Sequence, residues 1–336
     1  MHLPSTALAS TPATARIPPP DMLADKKPTK YGKKRGTMAR PYENWARPCS
    51  LHNDQLIQGI LPYDQTTFDF AGIARAILGA ANLEDLHHQP ILDPDETPPQ
   101  MRRAQIQARV GLPVSTPERK NARNHAKRYE NTDEYRQFLS TYQSFIHEWV
   151  VPQLGNVALL YQRKPILRVV LPGSVAPTAM HCDADYFHDS NEINYWVPLT
   201  PVWGSNSLWV ESAPGAGDFA PFVAGAGEAV RFYGNRCRHY TLPNDSGGVR
   251  VSFDFRVTPL HLFEPPTELA LTLSRHTLNP GMSKKGYYEI AYPKGQEESA
   301  LALAARREAW REAHRESVAA AAKESEGAEV AIVAAS

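Results

Sequence analysis

The chain has 336 residues, 42% of them hydrophobic and 21% charged, and its 36 basic residues balance 36 acidic ones. This length can bury the core of one large domain or two ordinary ones. The neutral balance argues against functions that need overall attraction to nucleic acid or to an acidic membrane, and no run approaches the ~18 apolar residues of a membrane-spanning helix. Three cysteines without a C-x-x-C pair fit a reducing, cytoplasmic setting.

Residues 1–45 are predicted to form a disordered, basic and proline-rich tail, because they lack the apolar periodicity of a buried element. The first 20 residues contain no acid and one arginine, which leaves organellar targeting open beside the cytoplasmic location. The basic run between residues 26 and 35 favours a solvated tail over an address signal or a nucleic-acid contact.

Residues 46–160 are expected to be largely helical. Apolar residues at helical spacing predict a helix within 68–86, with Thr66 or Thr67 as its cap, and a longer helix over 133–151 with a broad aromatic stripe. Such a stripe needs a large apolar partner surface. Between the two helices, a proline-rich stretch predicts a loop, and a dense basic segment at 118–129 favours a solvated face over a phosphate-binding patch.

From residue 166 the pattern changes to strands, predicted at 166–171, 193–199, 207–211, 229–233, 237–241 and 249–257. In the last of these, Val and Phe alternate with Arg250, Ser252, Asp254 and Arg256. Alternation buries the apolar face but does not decide whether the polar face meets water or a cavity.

Three potential metal ligands lie in this strand-rich part. His181 and Asp183 are two residues apart, so a strand would project both side chains from one face, where they could hold one ion. His239 follows 58 residues after His181, a segment long enough to form several strands and to bring His239 back beside the first pair. Two imidazoles and one carboxylate that leave the opposite positions open are typical of non-haem Fe(II) oxygenases.

Arg250 and Ser252 extend this pattern toward a co-substrate. A turn-forming run at 243–248 should place His239 and Arg250 on adjacent antiparallel strands. The usual co-substrate of such oxygenases is 2-oxoglutarate, and a guanidinium can grip its distal carboxylate with two hydrogen bonds. Ser252 lies on the same face and can add a hydroxyl donor.

The order His181, Asp183, His239, Arg250, Ser252 resembles the H-x-D…H…R-x-S pattern of the iron and 2-oxoglutarate-dependent dioxygenases. The amino-acid sequence at 192–200, 204–212 and 231–235 is similar to that of the branch with phytanoyl-CoA dioxygenase relatives and streptomycin-biosynthesis-associated oxygenases. The resemblance covers roughly residues 160 to 260.

This resemblance implies a mainly β core, a double-stranded β-helix (a cupin-like jelly-roll barrel) over 161–260, with flanking helices packed on one sheet. It implies Fe(II), 2-oxoglutarate and O2 as cofactor and co-substrates, and hydroxylation of a small organic molecule with release of succinate and CO2. Asp183 argues against halogenation, because related halogenases lack the carboxylate. The rival interpretations are a non-catalytic barrel that binds a metal and a small acid, and a cupin-type metal enzyme that does not use 2-oxoglutarate.

Five further residues are candidate substrate contacts. Arg168 stands in an apolar strand and needs a partner, either a structural carboxylate or an acidic substrate. Asp185 and His188 are predicted loop residues at the mouth of the site. Asn194 and Trp196 share a strand face and could line the cavity, although Trp196 could equally belong to the core.

After the predicted sheet, residues 261–295 are expected to form an irregular extension and residues 296–336 an alanine-rich C-terminal helix and tail. We expect a small-molecule substrate and no nucleic-acid partner. The oligomeric state is not predicted.

Overall fold

The computed structural model describes residues 51, 58–88, 132–174, 176, 178–186, 188–263 and 287–296. The predicted N-terminal tail, the proline-rich loop, the basic segment at 118–129 and the alanine-rich C-terminal helix lie outside these residues. Within the described part, no helix has both the length and the apolar character needed to cross a membrane.

Two antiparallel sheets form the described β structure. The ten strands in chain order are β1 Gly59–Pro62, β2 Leu159–Gln162, β3 Ile166–Val170, β4 Ile193–Pro198, β5 Leu208–Val210, β6 Ala220–Pro221, β7 Glu228–Phe232, β8 His239–Thr241, β9 Arg250–Pro259 and β10 Tyr288–Ala291. The larger sheet has the order β1-β7-β4-β9-β2-β10, with β3 also paired to β9, and the smaller has the order β6-β5-β8.

The long strand β9 is the centre of the larger sheet. One of its edges pairs with β4 from Ser252 to Val257, while the other pairs first with β3 and then with β2. Its apolar residues share a face with Tyr195 of β4, whose ring stacks on Phe255 at 5.2 Å. Its polar residues therefore occupy the opposite face, together with Asn194 and Trp196.

Helix α1 (Phe70–Leu78) is shorter than the predicted segment. Its cap is Asp69, which accepts a hydrogen bond from the Gly72 backbone at 2.8 Å, and not Thr66 or Thr67. Both threonines instead donate to Asp64. The helix ends at Gly79, whose φ of 61° places it in the left-handed region that ends many helices.

The predicted helix over 133–151 begins at its expected residue. Thr132 caps α2 (Asp133–Phe145), and the chain continues through a π-helical turn (Ile146–Val150) into α3 (Val151–Gln153). Pro152 lies in this last turn; a proline has no N–H to donate, and π turns occur where the regular hydrogen-bond ladder is interrupted.

The aromatic stripe of α2 packs on the apolar face of β9. The Phe138 ring centroid lies 5.3 Å from that of Phe253, and the Tyr142 centroid lies 5.1 Å from that of Phe255. Phe70 of α1 joins the same cluster at 4.7 Å from Phe253. Because burying one such side chain contributes about 1.5–3 kcal/mol, this layer fixes the helices to one face of the sheet and leaves the polar face free for the site.

Each of the six predicted strand segments contains a strand, with ends that differ by one or two residues. The expectation of an irregular extension over residues 261–295 was wrong in part, because Tyr288–Ala291 forms the edge strand β10 against β2. These four residues are too short to carry a readable alternation. Their conformation follows from pairing with a distant strand.

Candidate metal centre

His181, Asp183 and His239 lie together, with one ligand atom from each within 4.8 Å of the others. The Nε2 atoms of His181 and His239 are 3.8 and 3.9 Å from Asp183 Oδ1. Each imidazole is oriented by its other nitrogen, because His181 Nδ1 donates to the Ala179 carbonyl at 2.8 Å and His239 Nδ1 to the Cys237 carbonyl at 3.0 Å. Both Nε2 lone pairs are therefore available to an ion.

The local structure that assembles these residues differs from the predicted strand. His181 forms an isolated bridge with His239, in which each backbone N–H donates to the other's carbonyl, at 3.1 and 2.8 Å. The chain then turns into a 3-10 helix (Asp183–Tyr186). The Asp183 N–H donates to the Gly234 carbonyl at 2.9 Å, so a contact with the loop after β7, and not strand alternation, places the carboxylate.

Asp183 is 1% exposed and is held by two side chains from the larger sheet. Arg256 donates from Nε to Oδ2 at 2.7 Å and from Nη2 to Oδ1 at 3.0 Å, and Asn194 Nδ2 donates to Oδ2 at 2.7 Å. Burial is the largest single effect and opposes ionisation of the carboxyl, but the charge and hydrogen bonds of Arg256, together with His188 and His239, outweigh it and hold the pKa of Asp183 well below its usual range. Asp183 is therefore an anion at neutral pH.

Asn194 and Arg256 act on Asp183 as a pair because they face each other across β4 and β9. Asn194, predicted as a substrate contact, donates to the Asp183 carboxylate, and its Oδ1 accepts from the Gly234 N–H at 3.1 Å. Arg256 had no predicted role. Its position on the polar face of β9, in line with Arg250, Ser252 and Asp254, was the signal that could have found it.

His239 can bind a cation at neutral pH without first losing a proton. Burial, reinforced by the neighbouring His181, lowers the pKa of His239 to about 4. Two imidazoles with one buried carboxylate are a donor set that suits a divalent transition metal. The residues present thus fit the predicted ion.

Arg250 and Ser252 lie on the same face of β9 and are 2% and 0% exposed. Arg250 Nη1 donates to the Asn206 carbonyl at 2.9 Å, and its guanidinium carbon lies 6.0 Å from the Trp196 ring centroid. Among the described residues, neither Arg250 Nε nor Ser252 Oγ has a hydrogen-bond partner. Two unsatisfied buried groups side by side are rare in proteins, and a carboxylate would satisfy both.

The charge of Arg250 is poorly compensated by the protein. Burial, with a smaller contribution from the nearby positive charge of Arg168, lowers the pKa of Arg250 to about 9, against an opposite contribution from Asp254. An anion bound at Arg250 would offset the unfavourable free energy of burying its positive charge. The buried arginine therefore fits the predicted anchor for a co-substrate carboxylate.

Three predicted substrate contacts have protein partners in the structure. Arg168 Nε donates to Asp254 Oδ1 at 2.6 Å, so its partner is a structural carboxylate, one of the two predicted alternatives. Asp185 Oδ2 accepts from the Cys182 N–H at 3.1 Å, within the turn that follows His181. Trp196 is 3% exposed and lies on the polar face next to Arg250. It is therefore buried, as a core residue would be, and it also lies on the face expected to line the cavity.

His188 was predicted as a loop residue at the mouth of the site, and the structure places it in the loop before β4, where it is buried. It is 7% exposed, and its Nδ1 lies 2.6 Å from the buried Glu192 Oε2. The Tyr288 hydroxyl donates to the other Glu192 oxygen. The loop folds inward because a buried carboxylate needs hydrogen-bond donors, and His188 and Tyr288 supply them.

No protein-family model matches the chain. Structures with similar folds include the non-haem α-ketoglutarate-dependent epimerase SnoN from nogalamycin biosynthesis, 14% identical over 72% of this chain and 93% of that one, with a TM-score of 0.34. The nickel complex of the non-haem monooxygenase ThoJ is 16% identical over 60% and 74%, with a TM-score of 0.32. A 2OG-Fe(II) oxygenase from Burkholderia pseudomallei is 14% identical over 63% and 93%, with a TM-score of 0.31.

TM-scores of this size do not bear on the chemistry of the site. A sequence relative does bear on the family of the chain. The streptomycin biosynthesis protein StrG of Streptomyces griseus is 32% identical over 205 residues, which are 61% of this chain and 86% of that protein. With this identity across most of the relative's length, the chain belongs to the family of the streptomycin biosynthesis protein StrG.

Proposed function

We propose that the chain is an Fe(II)- and 2-oxoglutarate-dependent oxygenase, an oxidoreductase of the dioxygenase class that hydroxylates a small organic molecule. The observation that carries this proposal is that two imidazoles and one ionised carboxylate lie together. They offer three protein donor atoms, and the described residues place no fourth His, Cys, Asp or Glu in this group. A site with three protein ligands keeps positions for a co-substrate and O2, as catalytic metal sites do.

Each residue of the site has a distinct role in this proposal. His181 and His239 offer Nε2, and Asp183 offers Oδ1. Arg250 and Ser252 bind the distal carboxylate of 2-oxoglutarate with the two groups that lack protein partners. When bound, Fe(II) and 2-oxoglutarate supply the chemistry of O2 activation, in which release of succinate and CO2 accompanies oxidation of the substrate.

The finer architecture is part of the same proposal. The larger and smaller sheets would form the two walls of a double-stranded β-helix over 161–260, with the helical part over 46–160 on the outer face of the larger sheet. The contacts between Asp183, which follows the bridge to the smaller sheet, and Asn194 and Arg256 of the larger sheet support this arrangement. The site then lies between the walls.

The proposed substrate class follows from the groups around the site. The polar face of β9 and its neighbours carries two arginines whose charges are compensated by carboxylates, Arg168 by Asp254 and Arg256 by Asp183. The name of the relative StrG connects that protein with biosynthesis of a small molecule. A small organic substrate agrees with both.

The first experiment is anaerobic spectroscopy of the purified chain with Fe(II) and 2-oxoglutarate. We expect a weak visible charge-transfer band of the chelated co-substrate, which should be lost in Asp183→Ala and strongly weakened in Arg250→Ala at limiting 2-oxoglutarate. Arg163→Gln is the control, because it removes an arginine that is exposed in the turn between β2 and β3. Its band should be unchanged.

Two outcomes would contradict the proposal separately. Normal iron binding without the band would refute the use of 2-oxoglutarate and favour a metal enzyme of another type. Absence of iron binding by the parent chain would refute the metal site itself.

A further inference from the structure

The two oxygens of Asp183 have different surroundings. Oδ1 faces both imidazoles, at 3.8 and 3.9 Å from their Nε2 atoms. Oδ2 points away and accepts two hydrogen bonds of 2.7 Å, from Arg256 Nε and from Asn194 Nδ2. Oδ1 also accepts one hydrogen bond, from Arg256 Nη2 at 3.0 Å, but it is the oxygen on the imidazole side. Oδ1 can therefore offer a lone pair to an ion, while Oδ2 is held by two protein donors.

Arg256 is itself fixed from several strands. Its Nη1 donates to Gln162 Oε1 of β2 at 3.4 Å, and the hydroxyl of Tyr287, the residue before β10, donates to the same oxygen at 3.3 Å. Glu192 and Asp254 each place a carboxylate oxygen 4.0 Å from the guanidinium nitrogens. These neighbours, together with the 11% exposure of its side chain, keep the guanidinium from turning away from Asp183.

Asn194 is fixed as well. Its Oδ1 accepts from the Gly234 N–H at 3.1 Å, so its amide nitrogen is turned toward Asp183 Oδ2. Rotation of the Asp183 carboxylate would break both charge-assisted hydrogen bonds to Oδ2 at once. Such bonds are about twice as strong as neutral ones, so the rotation is strongly disfavoured.

We propose that Arg256 and Asn194 are positioning residues that restrict Asp183 to a single-oxygen ligand and so keep one coordination position open for the co-substrate or O2. This inference rests on the proposed metal site. A carboxylate free to rotate can bind a cation through both oxygens, as carboxylates often do. The second oxygen would then take a position that the reaction needs.

The experiment counts water molecules on Mn(II), a cation that prefers octahedral coordination, by water-proton relaxation and by pulsed EPR in H2O and D2O. Three protein atoms leave about three of six positions for water in the parent chain. In Arg256→Gln we expect Mn(II) to bind with about one water fewer, because both Asp183 oxygens become ligands. Arg168→Gln, which removes an arginine paired with Asp254, should keep the parent's number.

Asn194→Ala is the second variant, since it removes one donor to Oδ2 and leaves the Arg256 ion pair intact. It should lose a fraction of one water. An unchanged water count in both variants with Mn(II) bound would overturn the inference. Loss of Mn(II) from both would also overturn it, because the pair would then be required for metal binding itself.

The parent chain separates this inference from the proposed function. A parent that binds Mn(II) and gives the 2-oxoglutarate band, beside variants with unchanged water counts, would contradict only the role of Arg256 and Asn194. A parent without metal binding would contradict the proposed function first.

Discussion

Gly234 leaves room for Asn194, and a methyl group there should disturb the metal ligand. A Cβ at Gly234 would lie 2.7 Å from the Cγ, Nδ2 and Oδ1 atoms of Asn194. Gly234 does not have a positive φ, so the backbone itself accepts alanine. The effect of Gly234→Ala is therefore a steric one, on the side chain that donates to Asp183.

The expected destabilisation combines two contributions. Overpacking a buried site costs about 1–3 kcal/mol. Displacing Asn194 also removes its hydrogen bond to an ionised carboxylate, which contributes about 1.5–3 kcal/mol. Gly234→Ala should therefore lower the free energy of unfolding of the metal-free protein by about 4 kcal/mol, and Asn194→Ala by about 3 kcal/mol, through the lost bond and the cavity.

The double variant tests whether the two residues act through one contact. With Asn194 truncated, the methyl group no longer meets the Asn194 amide, so Gly234→Ala/Asn194→Ala should lose about 3–4 kcal/mol rather than the ~7 kcal/mol of the sum. Urea unfolding of the four proteins measures this coupling. Gly59→Ala is the control, because its nearest neighbour is Leu61 Cδ2 at 3.9 Å, and it should change stability by less than about 0.5 kcal/mol. Additive losses would refute the reasoning.

Three further predictions concern stability. Because the folded pKa of His239 is about 4 and its unfolded value is near 6.5, the unfolded chain binds the proton first, so the metal-free protein should lose about 3 kcal/mol between pH 6.5 and 4. Urea unfolding across this range should show a flatter profile for His239→Gln; an identical profile would contradict the assignment. Phe253→Ala should lower the free energy of unfolding in urea by about 3–5 kcal/mol, because Phe253 is fully buried. Ile166 is 39% exposed, so Ile166→Ala should lower it by less than about 0.5 kcal/mol. Thr132→Ala removes a helix cap and should lower the free energy of unfolding by about 1 kcal/mol, seen as a lower midpoint of thermal unfolding. An unchanged midpoint would contradict a stabilising role of this cap.

The residue types of the site were predictable because their chemistry is local to each side chain. The H-x-D pair, the second histidine and the R-x-S pair identify donors and an anion anchor, whatever the backbone does between them. The assumed geometry was wrong for Asp183. The sequence has no local signal that the chain leaves the bridge at His181 and turns toward the Gly234 carbonyl.

The partners of Asp183 were missed for a related reason. Arg256 is one of several polar residues that alternate along β9, and only the register between β4 and β9 sets it opposite Asn194. Register depends on contacts between segments about 60 residues apart, and a shift of one residue would turn both side chains to the other face. The aromatic stripe of α2 was readable because helical periodicity repeats over several turns.

The edge strand β10 extends the structural support of the site beyond its motif. All five motif residues lie within the range from His181 to Ser252. The Tyr287 hydroxyl, outside this range, donates to Gln162 Oε1, which also accepts from Arg256. Arg256 in turn donates to Asp183. A chain cut after residue 263 would keep all five motif residues but would lose the contact from Tyr287. Among the described residues, the structural support of the site therefore extends beyond the part of the sequence that identifies it, as far as Tyr287 beside β10.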